Sequence, residues 1–235
     1  MKIVVYLGGS VVTRNLTPEY VRGLVSVLRK ISDAGNSVYV VVGAGHVKNE
    51  YVGVLRGLGL PEEQGHDIAI QLTHLNANML RYALEEKAHN WLPKSTEDVL
   101  IHAELAERNG KICVCGGTEP GQSTDGVASR LAHHLGADLL VKATNVDGVY
   151  DSDPKENPQA KKLDKLNYSE FLEILASQET APGRFFLFGR KGAELLKEKS
   201  IRLLIVNGKD PEEISRAVFG GHNGTEITSD LAGAK

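Results

Sequence analysis

Short segments that are apolar on both faces alternate along this chain with longer segments of helical periodicity. Five apolar segments, predicted as strands, cover residues 2–7, 37–42, 111–115, 138–143 and 201–206. Strands without an alternating polar face must be covered on both sides, as in the parallel sheets of α/β proteins. The pattern predicts a mostly parallel sheet between two layers of helices. No linker or repeat interrupts it, so a single domain over residues 1–235 is expected.

Capping residues and periodicity predict where the helices lie. Thr17 can cap a helix that begins at Pro18, with an apolar face of Val21, Leu24, Val25, Leu28 and Ile31. A long helix is predicted over residues 67–87, with its inward face formed by Ile68, Leu72, Leu75, Met79 and Ala83. Ser95 and Asp98 have the spacing of a capping box, and later helices are predicted to end near residue 135 and to cover 168–177, 191–199 and 211–219. Residues 181–190 are compatible with a strand, a lid or a partner-facing loop.

Composition and charge exclude several classes of protein. The chain is 41% hydrophobic and 24% charged, which is typical of folded globular proteins. Its net charge of −3 argues against a nucleic-acid binder but leaves a small anionic ligand open. No apolar run approaches the roughly 20 residues of a membrane helix. The two cysteines, Cys113 and Cys115, lie on one face of a predicted strand, where they are poorly placed to form a disulfide, which fits a reducing cytoplasm.

Glycine-rich turns follow three of the predicted strands. They are Gly8-Gly9-Ser10, Gly43-Ala44-Gly45 and the segment that begins Gly116-Gly117-Thr118. Ligands of open parallel sheets bind beyond the carboxyl ends of the strands, and glycine lets backbone N–H groups approach an anion. Three such turns favour a phosphate-rich ligand. Neither the P-loop motif nor the dinucleotide motif G-x-G-x-x-G occurs at a helix start.

The segment over residues 144–154, TNVDGVYDSDP, follows the fourth predicted strand. It combines hydroxyls, an aromatic ring and three carboxylates, which can stack on a base and bind ribose or hydrated magnesium. The same composition is also compatible with a solvated turn.

Taken together, these motifs and His222-Asn223-Gly224-Thr225 resemble the amino acid kinase superfamily, and within it the archaeal-type uridylate kinases. The resemblance runs in order over nearly the whole chain and is weakest in residues 181–190. It implies a three-layer α/β/α sandwich, with an acceptor-binding half over about residues 1–137 and an ATP-binding half over 138–235. It also implies a homo-oligomer, often a hexamer.

The resemblance implies two sets of ligand-binding residues. ATP would be bound by Gly9, Ser10, Gly45, Asn49, Thr144, Asn145, Tyr150 and Asp153. UMP would be bound by Ala44, Asp67, Thr118, Glu119, Pro120, Gly121, Gln122, Ser123 and Thr124. Magnesium would bridge the ATP phosphates, and no protein metal ligand is predicted.

Several positions differ from the family pattern. Asn49 stands where many relatives carry arginine, His74 where a basic residue is common, Gly189 where an aspartate is common, and Tyr6 where the superfamily usually has lysine. The remaining positive charge would come from a lysine or arginine, with Lys142 and Lys191 as the predicted catalytic cations and Arg190 and Lys48 as further candidates.

The expected activity is therefore ATP-dependent phosphorylation of UMP to UDP, a step of pyrimidine nucleotide biosynthesis. An acceptor phosphate is already ionised, so no general base is required. Two alternatives stay open: a kinase of another small phosphomonoester such as isopentenyl phosphate, and a catalytically weak nucleotide-binding regulatory relative. ATP and UMP are the expected partners, without nucleic acid or membrane, in the cytoplasm.

Overall fold

The computed structural model of this protein describes residues 1–13, 16–152, 157, 159–179 and 187–229. Its main sheet has seven strands in the order β3-β2-β1-β4-β8-β9-β7. These strands are β1 (Lys2–Leu7), β2 (Ser37–Val42), β3 (Cys113–Cys115), β4 (Leu139–Thr144), β7 (Lys165–Asn167), β8 (Arg202–Asn207) and β9 (Thr225–Thr228). A separate pair joins β5 (Val149–Tyr150) to β6 (Lys162–Leu163). The predicted, mostly parallel sheet is confirmed: strands β3, β2, β1, β4 and β8 are parallel, whereas β9 and β7 form a parallel pair that runs antiparallel to β8.

Nine α-helices connect these strands within the described part of the chain. They are α1 (Gly9–Val12), α2 (Pro18–Asp33), α3 (Val47–Gly57), α4 (Glu62–Leu84), α5 (Thr96–Arg108), α6 (Thr124–Leu135), α7 (Tyr168–Glu179), α8 (Arg190–Glu198) and α9 (Glu212–Phe219). Thr17 and Ser95 cap α2 and α5 as predicted, accepting bonds from the backbone N–H groups of Tyr20 (3.3 Å) and Asp98 (3.1 Å).

Each face of the sheet carries its own hydrophobic core. Alternate residues of β1 point to opposite faces, so that Ile3 and Val5 lie in one core and Val4 in the other. The first core contains side chains of α2, α4 and α9, and the second contains side chains of α5, α6, α7 and α8. This arrangement confirms the three-layer sandwich. Cys113 and Cys115 are buried, unpaired and in the same core, as predicted.

Helices α3 and α4 differ from the predictions. Helix α3 was not predicted. Helix α4 begins at Glu62, so the predicted start at Asp67 was wrong and Asp67 lies in the second turn. The inward face predicted for α4 was wrong at Leu75, which is 66% exposed, whereas Thr73 and Asn76 are buried and Met79 packs against the core as predicted.

Candidate active site

The turns that follow β1 and β2 are in direct contact at the carboxyl edge of the sheet. A Cβ atom added to Gly9 would lie 2.5 Å from the Cα of Gly45, far inside van der Waals contact. Gly45 has a φ of 86° and packs against Thr13, whose hydroxyl donates to the Gly9 carbonyl (2.9 Å). The ring Nδ1 of His46 lies 3.0 Å from that hydroxyl. The two predicted ATP-phosphate turns therefore form one compact backbone structure.

The tips of β4 and β8 adjoin the same turns. The backbone N–H of Gly8 donates to the Ala143 carbonyl (2.8 Å), and that of Gly208 donates to the Thr144 carbonyl (2.7 Å). Thr144 itself is buried at the end of β4. The loop after β4 therefore lies next to Gly9 and Ser10. The two segments must be this close if both are to bind one nucleotide.

Helix α4 contacts the turns after β2 and β3 through three polar side chains. The amide nitrogen of Asn76 donates to the carbonyl oxygens of Gly43 (2.9 Å) and Ala44 (3.2 Å). The Thr73 hydroxyl accepts from the N–H of Gly117 (2.7 Å) and donates to the Ile70 carbonyl (2.6 Å). The Nε2 of His74 lies 2.8 Å from the Gly117 carbonyl, which can only accept, so Nε2 carries a proton. Burial lowers the pKa of His74.

The predicted acceptor loop, residues 118–124, runs from β3 into the start of α6. Thr118 is buried, and its hydroxyl donates to the Gln122 side chain (3.0 Å). Ser123 caps α6 by accepting from the Gly126 N–H (3.3 Å), and the Thr124 hydroxyl lies 3.0 Å from that of Tyr6. Glu119, Pro120 and Gly121 are exposed. The loop therefore has a fixed base and an exposed tip.

The predicted nucleotide loop after β4 is fixed at its far end by Thr225. The Thr225 hydroxyl accepts from the N–H of Val149 (2.8 Å) and donates to the Leu163 carbonyl (2.5 Å). Thr225 also packs against Gly148, where a Cβ would lie 3.1 Å from the Thr225 nitrogen. Tyr150 is half-buried and pairs with Lys162. Asp153 lies outside the described residues.

Lys142 is a buried lysine beneath the acceptor loop. Its Nζ donates to the Leu187 carbonyl and lies 4.8 Å and 5.1 Å from the ring centres of Tyr6 and Phe188. Burial lowers the pKa of Lys142 to about 8, although the Asp125 carboxylate opposes that effect. Asp125 is buried as well and accepts from the N–H of Gly189 (2.5 Å). The pKa of Tyr6 is raised by burial and by Asp125, so its phenol stays neutral.

The other predicted cations and ligands lie on exposed helical positions. Lys191 is exposed in the first turn of α8, next to Arg190, which is paired with Glu194 (3.1 Å). Asn49 in α3 and Asp67 in α4 are exposed too. Of the residues 181–190, the structure describes only 187–190, where Leu187 and Phe188 are buried in the core, so the three structures considered for that segment stay untested.

A polar cavity of about 340 Å³ at the tip of β8 was not predicted. It is lined by Asp147, Asn207, Lys209, Asp210, Glu213, Arg216 and Asn223. Arg216 pairs with Asp210 and Glu213, while the Asn207 amide donates to Asp147 (2.6 Å). Asn207-Gly208 forms a fourth glycine-containing turn at a strand end. The glycine that follows the apolar segment 201–206 could have indicated this turn from the sequence.

Among the described residues, no group of three or more histidine, cysteine, aspartate or glutamate side chains could bind a metal ion. None of the helices in the described ranges is long and apolar enough to cross a membrane.

Comparison with known proteins identifies relatives over almost the full length. Residues 1–207 match the model of the amino acid kinase family. The uridylate kinase of Methanobrevibacter smithii is 35% identical over 229 residues, which cover 97% of this chain and all of that protein. The uridylate kinase of Haloquadratum walsbyi is 38% identical over 228 residues, covering 97% of this chain and 93% of that protein.

Solved structures show the same fold. The crystal structure of uridylate kinase from Archaeoglobus fulgidus superposes with a TM-score of 0.83 at 34% identity, covering 97% of this chain and 100% of that one. The aspartate kinase of Synechocystis superposes with a TM-score of 0.76 at 20% identity, and this chain corresponds to 41% of it, so that likeness concerns the fold alone.

Proposed function

Because this chain belongs to the amino acid kinase family, we propose that it transfers the γ-phosphoryl group of ATP to UMP and releases ADP and UDP. The observation that carries the proposal is that relatives matching 97% of this chain are uridylate kinases. The contact between the turns after β1 and β2 supports it, because two polyanionic substrates must meet at one set of backbone donors.

In this reaction the main tasks of the protein are to position two phosphates and to neutralise their charge. An oxygen of the UMP phosphate forms a bond to the γ-phosphorus, and the bond from that phosphorus to the β–γ bridging oxygen breaks. The bond's electrons leave with ADP. Because the attacking oxygen is already ionised, no side chain has to accept a proton.

We assign the two substrates to opposite sides of the Gly9–Gly45 contact. ATP would lie along Gly9, Ser10 and the loop from Thr144 to Tyr150, of which only the loop belongs to the half of the chain after residue 137. UMP would lie along Ala44 and the acceptor loop of residues 118–124. Lys142 and Lys191 stay the predicted catalytic cations, one buried against the Leu187 carbonyl and the other exposed at the start of α8.

Magnesium fits this arrangement as a partner of ATP. Mg²⁺ usually retains several waters and binds through substrate phosphates with one or two carboxylates, so it needs no all-protein ligand set. The cofactors we propose are therefore ATP and Mg²⁺, and the bound ion would neutralise charge on the transferred phosphate.

An acceptor assay tests the proposal. With ATP and magnesium, purified protein is expected to form ADP fastest with UMP, more slowly with CMP, and negligibly with isopentenyl phosphate. The reason is that the acceptor loop presents hydroxyl and amide groups from Thr118, Gln122 and Ser123. ADP formation is measured by a coupled assay, and UDP by chromatography. Fastest turnover of isopentenyl phosphate would reassign the acceptor, and tight ATP binding without turnover of any acceptor would indicate a regulatory relative.

We also propose that this chain forms a homo-oligomer, a hexamer by family resemblance, through α3. All residues of α3 are described, and none of them is buried in the single chain. Tyr51 and Val54 of α3 and Leu58, the residue that follows this helix, are 52%, 63% and 69% exposed, an apolar surface typical of protein interfaces.

Charge on this surface is expected to dissociate the oligomer. Leu58→Glu should shift the mass measured by sedimentation or light scattering toward that of one chain, because a carboxylate cannot be buried unpaired. Phe219→Glu on α9, where Phe219 is 50% exposed, is the matched control and should leave the mass unchanged. An unchanged mass for Leu58→Glu would exclude α3 from the interface.

A further inference from the structure

We infer that Thr73, His74 and Asn76 of α4 are positioning residues that fix the spacing between the turn after β2 and the turn after β3. The inference rests on the proposed function, in which the turn after β2 contributes Gly45 to the ATP site and Ala44 to the UMP site, while the turn after β3 leads into the acceptor loop of the UMP site. It assigns a role in phosphoryl transfer to side chains that bond only to the protein backbone in the structure.

Asn76 fixes the turn after β2. Its amide has two hydrogens, and both are used: one on the Gly43 carbonyl and one on the Ala44 carbonyl. With these carbonyl oxygens directed at α4, the orientation of the intervening peptide groups is set. Asn76 is 8% exposed, so water does not readily replace it as the donor.

Thr73 and His74 fix the turn after β3. They bond to both polar groups of Gly117, the hydroxyl to its N–H and the imidazole to its carbonyl. Gly116 packs so closely on α4 that a Cβ would lie 2.9 Å from the Cβ of Thr73. The turn therefore has no room to move toward the helix, and the bonds to Gly117 oppose movement away from it.

One rigid element thus connects two turns that follow different strands. Thr73, His74 and Asn76 lie within four consecutive positions of a 23-residue helix, which packs against β2 and β3. In phosphoryl transfer, a displacement of about 1 Å between reacting groups can reduce the rate about 100-fold. We therefore expect loss of these bonds to reduce kcat while the affinities for ATP and UMP, each bound by several further residues, change little.

A matched pair at Thr73 tests this inference. Thr73→Val keeps the shape but removes the hydroxyl, and it is expected to reduce kcat at least tenfold, with Kd values for ATP and UMP within threefold of wild type. Thr73→Ser retains the hydroxyl and is expected to keep kcat within threefold of wild type. Calorimetry supplies the Kd values.

Asn76→Asp supplies a second, near-isosteric test. In this variant a carboxylate oxygen replaces the amide nitrogen that donates to the Gly43 and Ala44 carbonyls. Both bonds are lost and the facing oxygens repel each other, so kcat is expected to fall about 100-fold. A protonated carboxyl can donate one bond, and the activity of the variant relative to wild type should increase as the pH is lowered.

Leu80→Ala, a buried apolar position on the same helix, is the control for general destabilisation. It should lower the melting temperature and leave kcat within threefold. If Thr73→Val and Asn76→Asp change only the melting temperature, or if both change kcat no more than Leu80→Ala does, the positioning role is wrong. If wild-type protein phosphorylates no acceptor, the proposed function fails instead, and the two failures are distinguishable.

Discussion

Gly9→Ala is expected to reduce kcat/KM for phosphoryl transfer at least 100-fold. The added methyl group would lie 2.5 Å from the Gly45 Cα and closer still to the Gly45 nitrogen, which are backbone atoms that cannot rotate away. The turns after β1 and β2 would have to separate, and their N–H groups would no longer converge on one phosphate. A 100-fold effect corresponds to about 3 kcal/mol of lost transition-state stabilisation. Steady-state kinetics with ATP and UMP measure it.

Gly57→Ala is the matched control for this substitution. Gly57 is a helical glycine of α3, and a Cβ there meets nothing within 4 Å. Alanine should stabilise the helix by roughly 0.5–1 kcal/mol and leave kinetics unchanged. If Gly9→Ala retained wild-type kcat/KM, the contact between the two turns would not be part of the phosphate site.

Removal of Lys142 is expected to change how stability depends on pH. The pKa of Lys142 is about 8 in the folded chain, below its ordinary value of 10.5, because its ammonium is buried. Between these two values the unfolded chain binds a proton at this lysine that the folded chain does not. As the pH rises through this range, Lys142 therefore increases the free energy of unfolding, by up to roughly 3 kcal/mol in total.

The measurement is the free energy of unfolding by denaturant between pH 7.5 and about 10.5, compared for wild type and Lys142→Met. The wild type should gain stability relative to the variant as the pH rises. Burial raises the pKa of Cys113 to about 12, so this thiol ionises more readily in the unfolded chain, which lowers the free energy of unfolding as the pH rises. Wild type and variant share this effect, so it cancels in the difference between their free energies of unfolding. Lys199→Met, at an exposed position, should show no such difference. A pH-independent difference for Lys142→Met would mean that its ammonium is not desolvated.

The strands that form the site were predictable because burial on both faces leaves an unambiguous apolar pattern. Val38, Val40 and Val41 in β2 are all buried, and the glycines that follow mark where the strand ends. Cap positions such as Thr17 and Ser95 were equally predictable, because a hydroxyl that precedes a helical pattern can accept a hydrogen bond from a backbone N–H of the first turn.

Helix α4 shows why periodicity fails at a functional site. The apolar residue Leu75 faces away from the sheet, whereas Thr73 and Asn76 are buried because they bond to backbone groups of the two turns. Hydrophobic spacing identifies a face that packs on apolar surface, whereas part of the buried face of α4 packs on peptide groups. Helix α3 was missed for a related reason, since none of its described residues enters the core.

The short strands β5, β6, β7 and β9 have two to four residues each and carry too little pattern to be predicted. Their pairing depends on distant parts of the chain, as does the Thr225 bond to the nucleotide loop. The segment His222-Asn223-Gly224-Thr225 belonged to the family resemblance, but the residues alone did not indicate which loop the threonine fixes.

The position of β9 also constrains the order of events during synthesis on the ribosome. Strand β7 joins the sheet only through β9, which is translated about 60 residues later, and β9 also supplies the hydroxyl that fixes Val149. The four parallel strands β1 to β4 can assemble while the nascent chain is still growing. The loop proposed to bind ATP acquires its final support only after Thr225 has left the exit tunnel, so activity is expected to appear late in synthesis.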